Sequence, residues 1–549
     1  MKIRNPPFPL RRYTGFTRCL IPCSLAVDHR APVTQKAMRI YNSAELQTPT
    51  ERVTLNAMLS RSALQPFPNN PSKRLMKSKN NIVFRLVSCL TLVAYAILPM
   101  RALAMTIGEE RKIGDQLLYS VRKELPILDE PDISQYINKL GSKVLATIGP
   151  QYFDYRFFVV KSNQFNAFAA PAGLVFFYTG LIETMRSEDE LLSVLAHEIG
   201  HVVSRHIAQR LGKGTKVSVL SLLFGIAGLA LGVPGLSTGL LVGSMATGQA
   251  INLQYGREDE EQADRLSFGW MQQMQRNPVA MEDMLKVMRR ITRYRMGPDT
   301  PQYLLTHPNP EARMGYVETL LEHDGKQKIK GAYPKTDNFD FLRFKYRVMM
   351  HSLDHDKLRM DCASILASSP DKEQQTLAKY GLALLESDTH NVDQALQYLA
   401  AVREQYPAKD ILEIDQAVIL IDGGRIEEAR QLLEKAFKRD PTDMYGVYQL
   451  AKMELMQGKS TRAEQLLQKV AVVMPEYPQL YFDLGRIEAD RGKEGASIFY
   501  LAKYNLYLGR MKIAKQYLTR SAKDISVPEK YRSEAKSILE KLKELEKGI

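Results

Sequence analysis

Ser193-Val194-Leu195-Ala196-His197-Glu198-Ile199-Gly200-His201-Val202-Val203 sets two imidazoles and a carboxylate into an otherwise apolar run. The periodicity predicts one helix from Ser187 to about Leu211. It opens at Ser187-Glu188-Asp189-Glu190, with capping-box spacing and acids at the positive helix end. On a helix, His197 and His201 lie about 40° apart around the axis, so both rings project from one face and can share a metal ion. Glu198 is turned about 100° from His197 and can reach the coordination position left open. There it can take a proton from a water whose pKa the metal has lowered. A five-residue match is a short signal. The helical context and the Ile and Gly at the intervening positions strengthen it.

A candidate third ligand follows in Arg257-Glu258-Asp259-Glu260-Glu261-Gln262-Ala263-Asp264, the start of a second helix over about 257–275. Glu260 completes a His2Glu set with one position left for water. Asp264, four residues on, lies on the same face and supports a ligand imidazole from behind. The helix dipole alone also favours acids in a solvated first turn, and Glu258 and Glu261 fit that role. His206, about 140° off the ligand face, reads as structural.

The 549 residues suggest two or three domains, and 45% apolar with 25% charged residues is a globular composition. The net charge of +14 invites a nucleic-acid reading, until the charge is located. Residues 1–104 hold 16 Lys+Arg and 3 Asp+Glu, and the remainder holds 59 and 58. A nearly neutral body leaves little to bind phosphates, so nucleic acid is excluded as a partner.

Met76 to Arg85 is a short positive segment, Leu86 to Pro99 an apolar run, and Ala102-Leu103-Ala104 a small-x-small cleavage site. That is the form of a secretory signal peptide over 76–104, cleaved after Ala104, and it predicts export to the periplasm. The alternative is an uncleaved anchor. Residues 1–75 are a leader that is either disordered or not translated, with Met76 as the start. Cys19 and Cys23 have no second pair nearby, and Arg85 leaves no apolar stretch ahead of the lipoprotein-like Leu86-Val87-Ser88-Cys89. Without the leader only Cys362 remains, so no intramolecular disulfide can form.

Two helices are predicted over 106–148, the second with Ile137, Leu140, Val144 and Ile148 on one face. Strands are predicted at 155–160 and 174–178, with Asn166 to Gly173 as a turn-rich link. Residues 217–256 carry no charged side chain. Further helices are predicted at 257–275 and 278–294, and a loop holding Thr306-His307-Pro308 closes the domain near 325. After a linker of about fifteen residues, four columns recur every 34 residues: Pro407, Pro441, Pro475; Ala383, Ala417, Ala451, Gly485; Ala395, Ala429, Ala463, Ser497; and Gly424, Gly458, Gly492. Small residues at helix crossings with a closing proline make this the tetratricopeptide pattern. Gly509 and Ala514 slip register, as in a capping repeat.

His197-Glu198-Ile199-Gly200-His201 followed by Glu260-x-x-x-Asp264 in an Ala-Asp-Arg context resembles the metallopeptidase family of HtpX and the CaaX prenyl protease. Signal, catalytic domain and repeats together resemble its beta-barrel assembly-enhancing protease group, over essentially all of residues 105–549. The resemblance implies a mostly α protein: an α+β zincin-type domain with a small sheet over 105–325, then an α-solenoid of tetratricopeptide repeats over 341–545. It implies one zinc ion per chain, bound by His197, His201 and Glu260, and peptide-bond hydrolysis with Glu198 as base. His307 matches a family histidine near the metal, which either stabilises the oxyanion or occupies the open position in a resting state. Asn166, Ala167, Phe168 and Gly173 resemble the family's edge strand, where extended substrate would pair; the other reading is a buried hairpin. The sequence departs from simple members at Glu261-Gln262. Membrane-embedded relatives carry transmembrane segments between the two catalytic helices; here the favoured reading of 217–256 is a mobile apolar flap that touches lipid, over a membrane hairpin. The implied partners are unfolded or stalled outer-membrane proteins as substrates and their assembly machinery through the repeats. The alternative is a repeat-based assembly factor or chaperone whose peptidase is secondary or normally shut.

Overall fold

The computed structural model describes residues 105–212, 255–294, 302–323 and 333–547. Residues 1–104, with the expected leader and signal segment, and nearly all of the uncharged segment lie outside these residues.

Helices α1 (Ile107–Glu124) and α2 (Pro131–Ile148) precede a three-stranded sheet of β1 (Arg156–Val160), β2 (Ala167–Ala170) and β3 (Leu174–Tyr178). The strand order is β1-β3-β2, with β1 parallel and β2 antiparallel to β3. Side chains alternate along each strand. Phe157, Val159, Ala167, Ala169, Val175 and Phe177 enter the main core beneath α2 and α4 (Glu188–Val203). Phe158, Val160, Phe168, Leu174, Phe176 and Tyr178 face Leu117, Leu118 and Val121 of α1. Both faces are covered, so the strands read as apolar runs without alternation.

The short helix α3 (Thr179–Thr184) leads into α4, followed by α5 (His206–Gly212), α6 (Arg257–Gln273), α7 (Val279–Tyr294), α8 (Gln302–Thr306) and α9 (Pro310–His323). Three local readings of the sequence are corrected. The turn-rich link at 166–173 contains strand β2, because Ala167–Ala170 is buried on both faces and does not need the β-branched residues that signal a half-exposed strand. The motif helix stops at Val203. Arg205 adopts φ +54°, and its guanidinium is tied to Glu110 (Nε to Oε2, 2.8 Å) and to the Met105 carbonyl (2.6 Å), which offsets the cost of a left-handed residue. The loop at His307 is brief, lying between α8 and α9, with Asn309 at φ +59°. At the start of α4, Ser187 Oγ accepts from the Glu190 N–H (3.3 Å), but the Glu190 carboxylate turns to the Arg186 N–H (2.6 Å) instead of closing the box on Ser187.

Twelve helices follow from residue 339: α10 (Phe339–Ser352), α11 (His355–Ser368), α12 (Lys372–Asp388), α13 (Val392–Gln405), α14 (Ile411–Asp422), α15 (Ile426–Arg439), α16 (Met444–Met456), α17 (Ser460–Val473), α18 (Pro478–Asp490), α19 (Glu494–Tyr507), α20 (Met511–Lys523) and α21 (Glu529–Lys547). Their antiparallel pairs carry the small-residue columns at the crossings. Ala383, Ala417, Ala451, Ala395, Ala429 and Ala463 are fully buried, and a Cβ on Gly485 would lie 3.4 Å from the Ser497 carbonyl. Gly424, Gly458 and Gly492 turn the chain at φ 73–74°, which explains their spacing, and Gly509 does the same at φ 73°. Among the described residues no helix is long and apolar enough to cross a membrane.

One continuous core runs from α2 and the sheet into the first repeats, through Phe339, Phe341, Tyr380 and Leu399. A buried ion network pins the same junction. Asp132 of α2 pairs with Arg347 (2.7 Å) and Arg343 (3.3 Å) of α10. Arg343 makes a fork on Asp415 of α14, which also accepts from Tyr380 and Tyr445. Burial pulls the Asp132 carboxyl up, but Arg347 and Arg343 outweigh it and hold it below the usual 3.8. The folded chain therefore binds that proton less readily than the unfolded one, so the stabilisation is full above the usual value and fades as pH falls through the lowered one. Replacing Asp132 by Ala leaves two buried guanidinium groups undercompensated and is expected to cost about 3–5 kcal/mol. A thermal midpoint at neutral pH equal to the parent's would contradict this.

Candidate metal centre

Helix α4 packs closely along α6 because Gly200 carries no side chain. A Cβ there would lie 3.2 Å from the Ala263 Cα and 3.3 Å from its carbonyl oxygen. This approach brings His197 and His201 of one helix to Glu260 of the other. The His197 and His201 Nε2 atoms are 3.0 Å apart. Glu260 places Oε2 3.6 Å from the first and Oε1 3.6 Å from the second. His307, at the end of α8, adds Nδ1 at 2.9 Å from Glu260 Oε1 and 3.5 Å from His197 Nε2. One donor atom from each of the four lies within 4.8 Å of the others, and all four residues are buried. Tetrahedral ligands about 2.0–2.1 Å from a metal stand roughly 3.3–3.4 Å from one another. The donor set fits a divalent cation.

The surroundings aim these donors. His197 turns Nδ1 to Asp264 Oδ1 (2.9 Å), and His201 turns Nδ1 to His206 Nδ1 (2.8 Å), so both Nε2 atoms face inward. Arg313 of α9 forks onto Asp264 (2.9 and 2.7 Å) and reaches Glu260 with Nη1 (2.9 Å). Burial raises Glu260, yet His307 and Arg313 hold it well below the usual 4.5. Burial and the Arg313 charge press His197 down, while Asp264 and Glu260 lift it to about 9. Burial and the neighbouring His197 keep His201 well below its usual value. A cation bound at His197 Nε2 would take the place of a proton there.

Glu198 is fully buried beside this set. Its Oε1 accepts from the Tyr303 hydroxyl (3.3 Å) and lies 3.5 Å from His307 Nε2, while Oε2 has no hydrogen-bond partner. Two carboxylate oxygens and one imidazole can therefore hold and pass a proton next to a cation.

Residues 131–320 match the family model described as Peptidase family M48. This is an M48 peptidase domain. Tetratricopeptide-repeat models match 387–452 and 420–484. The Beta-barrel assembly-enhancing protease of Yersinia pestis is 29% identical over 408 residues, covering 73% of this chain and 74% of that protein. Its Escherichia coli (strain K12) namesake is 28% identical over 300 residues, covering 54% and 59%. Mitochondrial metalloendopeptidase OMA1 of Schizosaccharomyces pombe is 27% identical over 202 residues, covering 37% and 57%. The alignments thus span less than two thirds of the latter two relatives. The M48 domain makes the chain a metalloendopeptidase.

The M48 centre unites His197, Glu198, His201, Glu260, Asp264 and His307, all singled out by the sequence. Ala167 and Phe168 lie on strand β2, with Asn166 just before it, at the outer side of the sheet and against α4. Gly173 turns the chain into β3 at φ +84°, with a Cβ position only 3.2 Å from Tyr155 Cα. The strand is both an edge of the sheet and buried, so the two readings of this segment were not exclusive. Glu258 is exposed, and Glu261 pairs with Arg257 (2.8 Å), as a solvated first turn requires.

Four residues of the centre escaped the sequence reading. Arg313 sits three residues into the Pro310 helix, where an arginine reads as ordinary surface. Tyr303 stacks on His307 (4.3 Å between centroids) and Tyr255 on His201 (3.8 Å). His206 reads as structural on a continuous helix, but the break at Arg205 returns it to His201. Replacing Arg313 by Ala frees Glu260 and Asp264 and should weaken divalent-metal affinity about 10–100-fold. Competition with a chromogenic chelator measures it, and parent-like affinity would remove Arg313 from the site.

Proposed function

We propose that this chain is a periplasmic zinc-dependent endopeptidase that acts on unfolded or stalled outer-membrane proteins. The convergence of His197, His201, Glu260 and Glu198 in one buried site carries the reading. Zinc, one ion per chain, would be held by His197, His201 and Glu260. When bound, it supplies Lewis acidity, which polarises a scissile carbonyl and acidifies a water. Glu198 then serves as the proton carrier, taking the proton at the carboxylate and delivering it to the leaving amine. Tyr303 orients that carboxylate. Asp264, itself held by Arg313, fixes the His197 ring. Extended substrate would pair along Asn166–Phe168 on strand β2, with Gly173 setting the strand's end.

The signal-like 76–104 supports export. The names of the Yersinia and Escherichia relatives support a part in β-barrel assembly, as protease or as chaperone. The repeats offer a surface for assembly-machinery partners. The neutral body argues against nucleic acid, and the uncharged 217–256 is compatible with contact at a lipid surface.

The second reading, an assembly factor whose peptidase is normally shut, draws on His307. Its Nδ1 stands among the donor atoms and its Nε2 faces Glu198, the place a substrate and its water would need. Of its two expected roles, this position favours gating over oxyanion stabilisation.

Two experiments test these readings. Replacing Glu198 by Gln should leave one zinc per chain and lower kcat by about 10²–10⁴, whereas Glu260→Ala should lose the zinc. A metal-replete Glu260→Ala protein, or an active Glu198→Gln protein, would refute the assignment. Replacing His307 by Ala should raise cleavage of an unfolded outer-membrane protein severalfold, the effect of stabilising the open state relative to the shut one by about 1 kcal/mol. A fall in rate would assign His307 to oxyanion stabilisation instead.

A further inference from the structure

The two metal-facing imidazoles are supported in different ways. His197 has a carboxylate behind it, as ligand histidines commonly do. His201 has a second imidazole, that of His206, delivered by the chain reversal at Arg205. His206 is buried, and its other nitrogen, Nε2, lies 3.0 Å from Gln262 Oε1 and 3.7 Å from Asp259 Oδ1. Asp259 is itself fixed by Arg210 and by the Gly256 N–H (3.0 Å), and Tyr255 covers the face of His201.

We infer that His206, oriented by Gln262, sets the tautomer of His201 and is a positioning residue for the metal site. Two neutral ring nitrogens 2.8 Å apart bond only if one carries hydrogen and the other a lone pair. At Nε2 of His206 the neighbours are an amide oxygen and a carboxylate, which both accept. Nε2 therefore carries the hydrogen, and Nδ1 is left as a lone pair. That lone pair accepts from His201 Nδ1–H, so His201 Nε2 is bare where it faces His197 and Glu260. A neutral imidazole with a bare Nε2 is a form that ligates metal. The opposite order would put a hydrogen on His201 Nε2 and block it. A neutral relay also suits this place better than a carboxylate, since Glu198, Glu260 and Asp264 already put three acids around the site.

The inference rests on His201 being a ligand, and the test separates the two. Full-chain protein with zinc removed is titrated with zinc against a chelator, and 15N-histidine spectra report the His201 tautomer before zinc is added. Parent protein should bind zinc with His201 in the Nδ1–H form. His206→Phe removes the acceptor and should weaken zinc binding by about tenfold or more, with the melting curve of the zinc-free protein unchanged. His206→Gln offers an acceptor oxygen again and should recover most of the affinity, which a purely structural role does not predict. Gln262→Met, at an exposed position, should shift His201 towards the Nε2–H form. Parent-like affinity in His206→Phe, equal loss in His206→Phe and His206→Gln, or an unchanged His201 spectrum in Gln262→Met would each overturn the inference. A parent protein that binds no zinc would instead sink the ligand assignment.

Discussion

Helix α4 lies close along helix α6 where position 200 has no side chain and Ala263 faces it, and the centre follows from that contact. Two rings from one helix and a carboxylate from the other meet in a space under 5 Å across. Gathering such groups away from water is costly, because each buried ion must find compensation. Arg313 meets part of this need by pairing with both Asp264 and Glu260, and Asp264 in turn holds His197. A side chain at position 200 would press on Ala263, and removing the arginine would take a shared cation from two buried acids. Geometry and charge are solved by different elements, α4 with α6 for the first and α9 for the second.

The sheet and the repeats hold this arrangement from outside. Tyr136 of α2 donates to Glu188 (2.7 Å), Arg276 binds both Glu188 and Asp189, and Thr336 and Asn338, just before the repeats, bond the same first turn of α4. The start of the motif helix is therefore built from both parts of the chain. With the shared core and the Asp132 network, the first repeats are part of the support of the peptidase domain and not a separate attachment. Any partner that displaces α10 must also strain contacts that reach α4.

Most of the fold was legible because its signals are local. Periodicity marks the helices, and a 34-residue recurrence of small residues marks their crossings. The metal-ligand candidates were legible because i,i+4 spacing on two helices is itself a geometric statement. What could not be read is what tertiary contact decides. Strand β2 is four small or aromatic residues whose strand state depends on β3 and on cover from both sides. The break at Arg205 depends on Glu110, some 95 residues earlier. Arg313, Tyr303, Tyr255 and His206 are ordinary residues until folding places them beside the ligands.

The central claim is that His197, His201 and Glu260 surround one metal ion. X-ray absorption at the zinc edge of the Glu198→Gln protein, loaded with one equivalent, addresses it without relying on turnover. The account predicts a shell of imidazole nitrogen and carboxylate oxygen at about 2.0–2.2 Å, with at least two histidines and no sulfur. A shell containing sulfur, or one dominated by water with a single histidine, would contradict it.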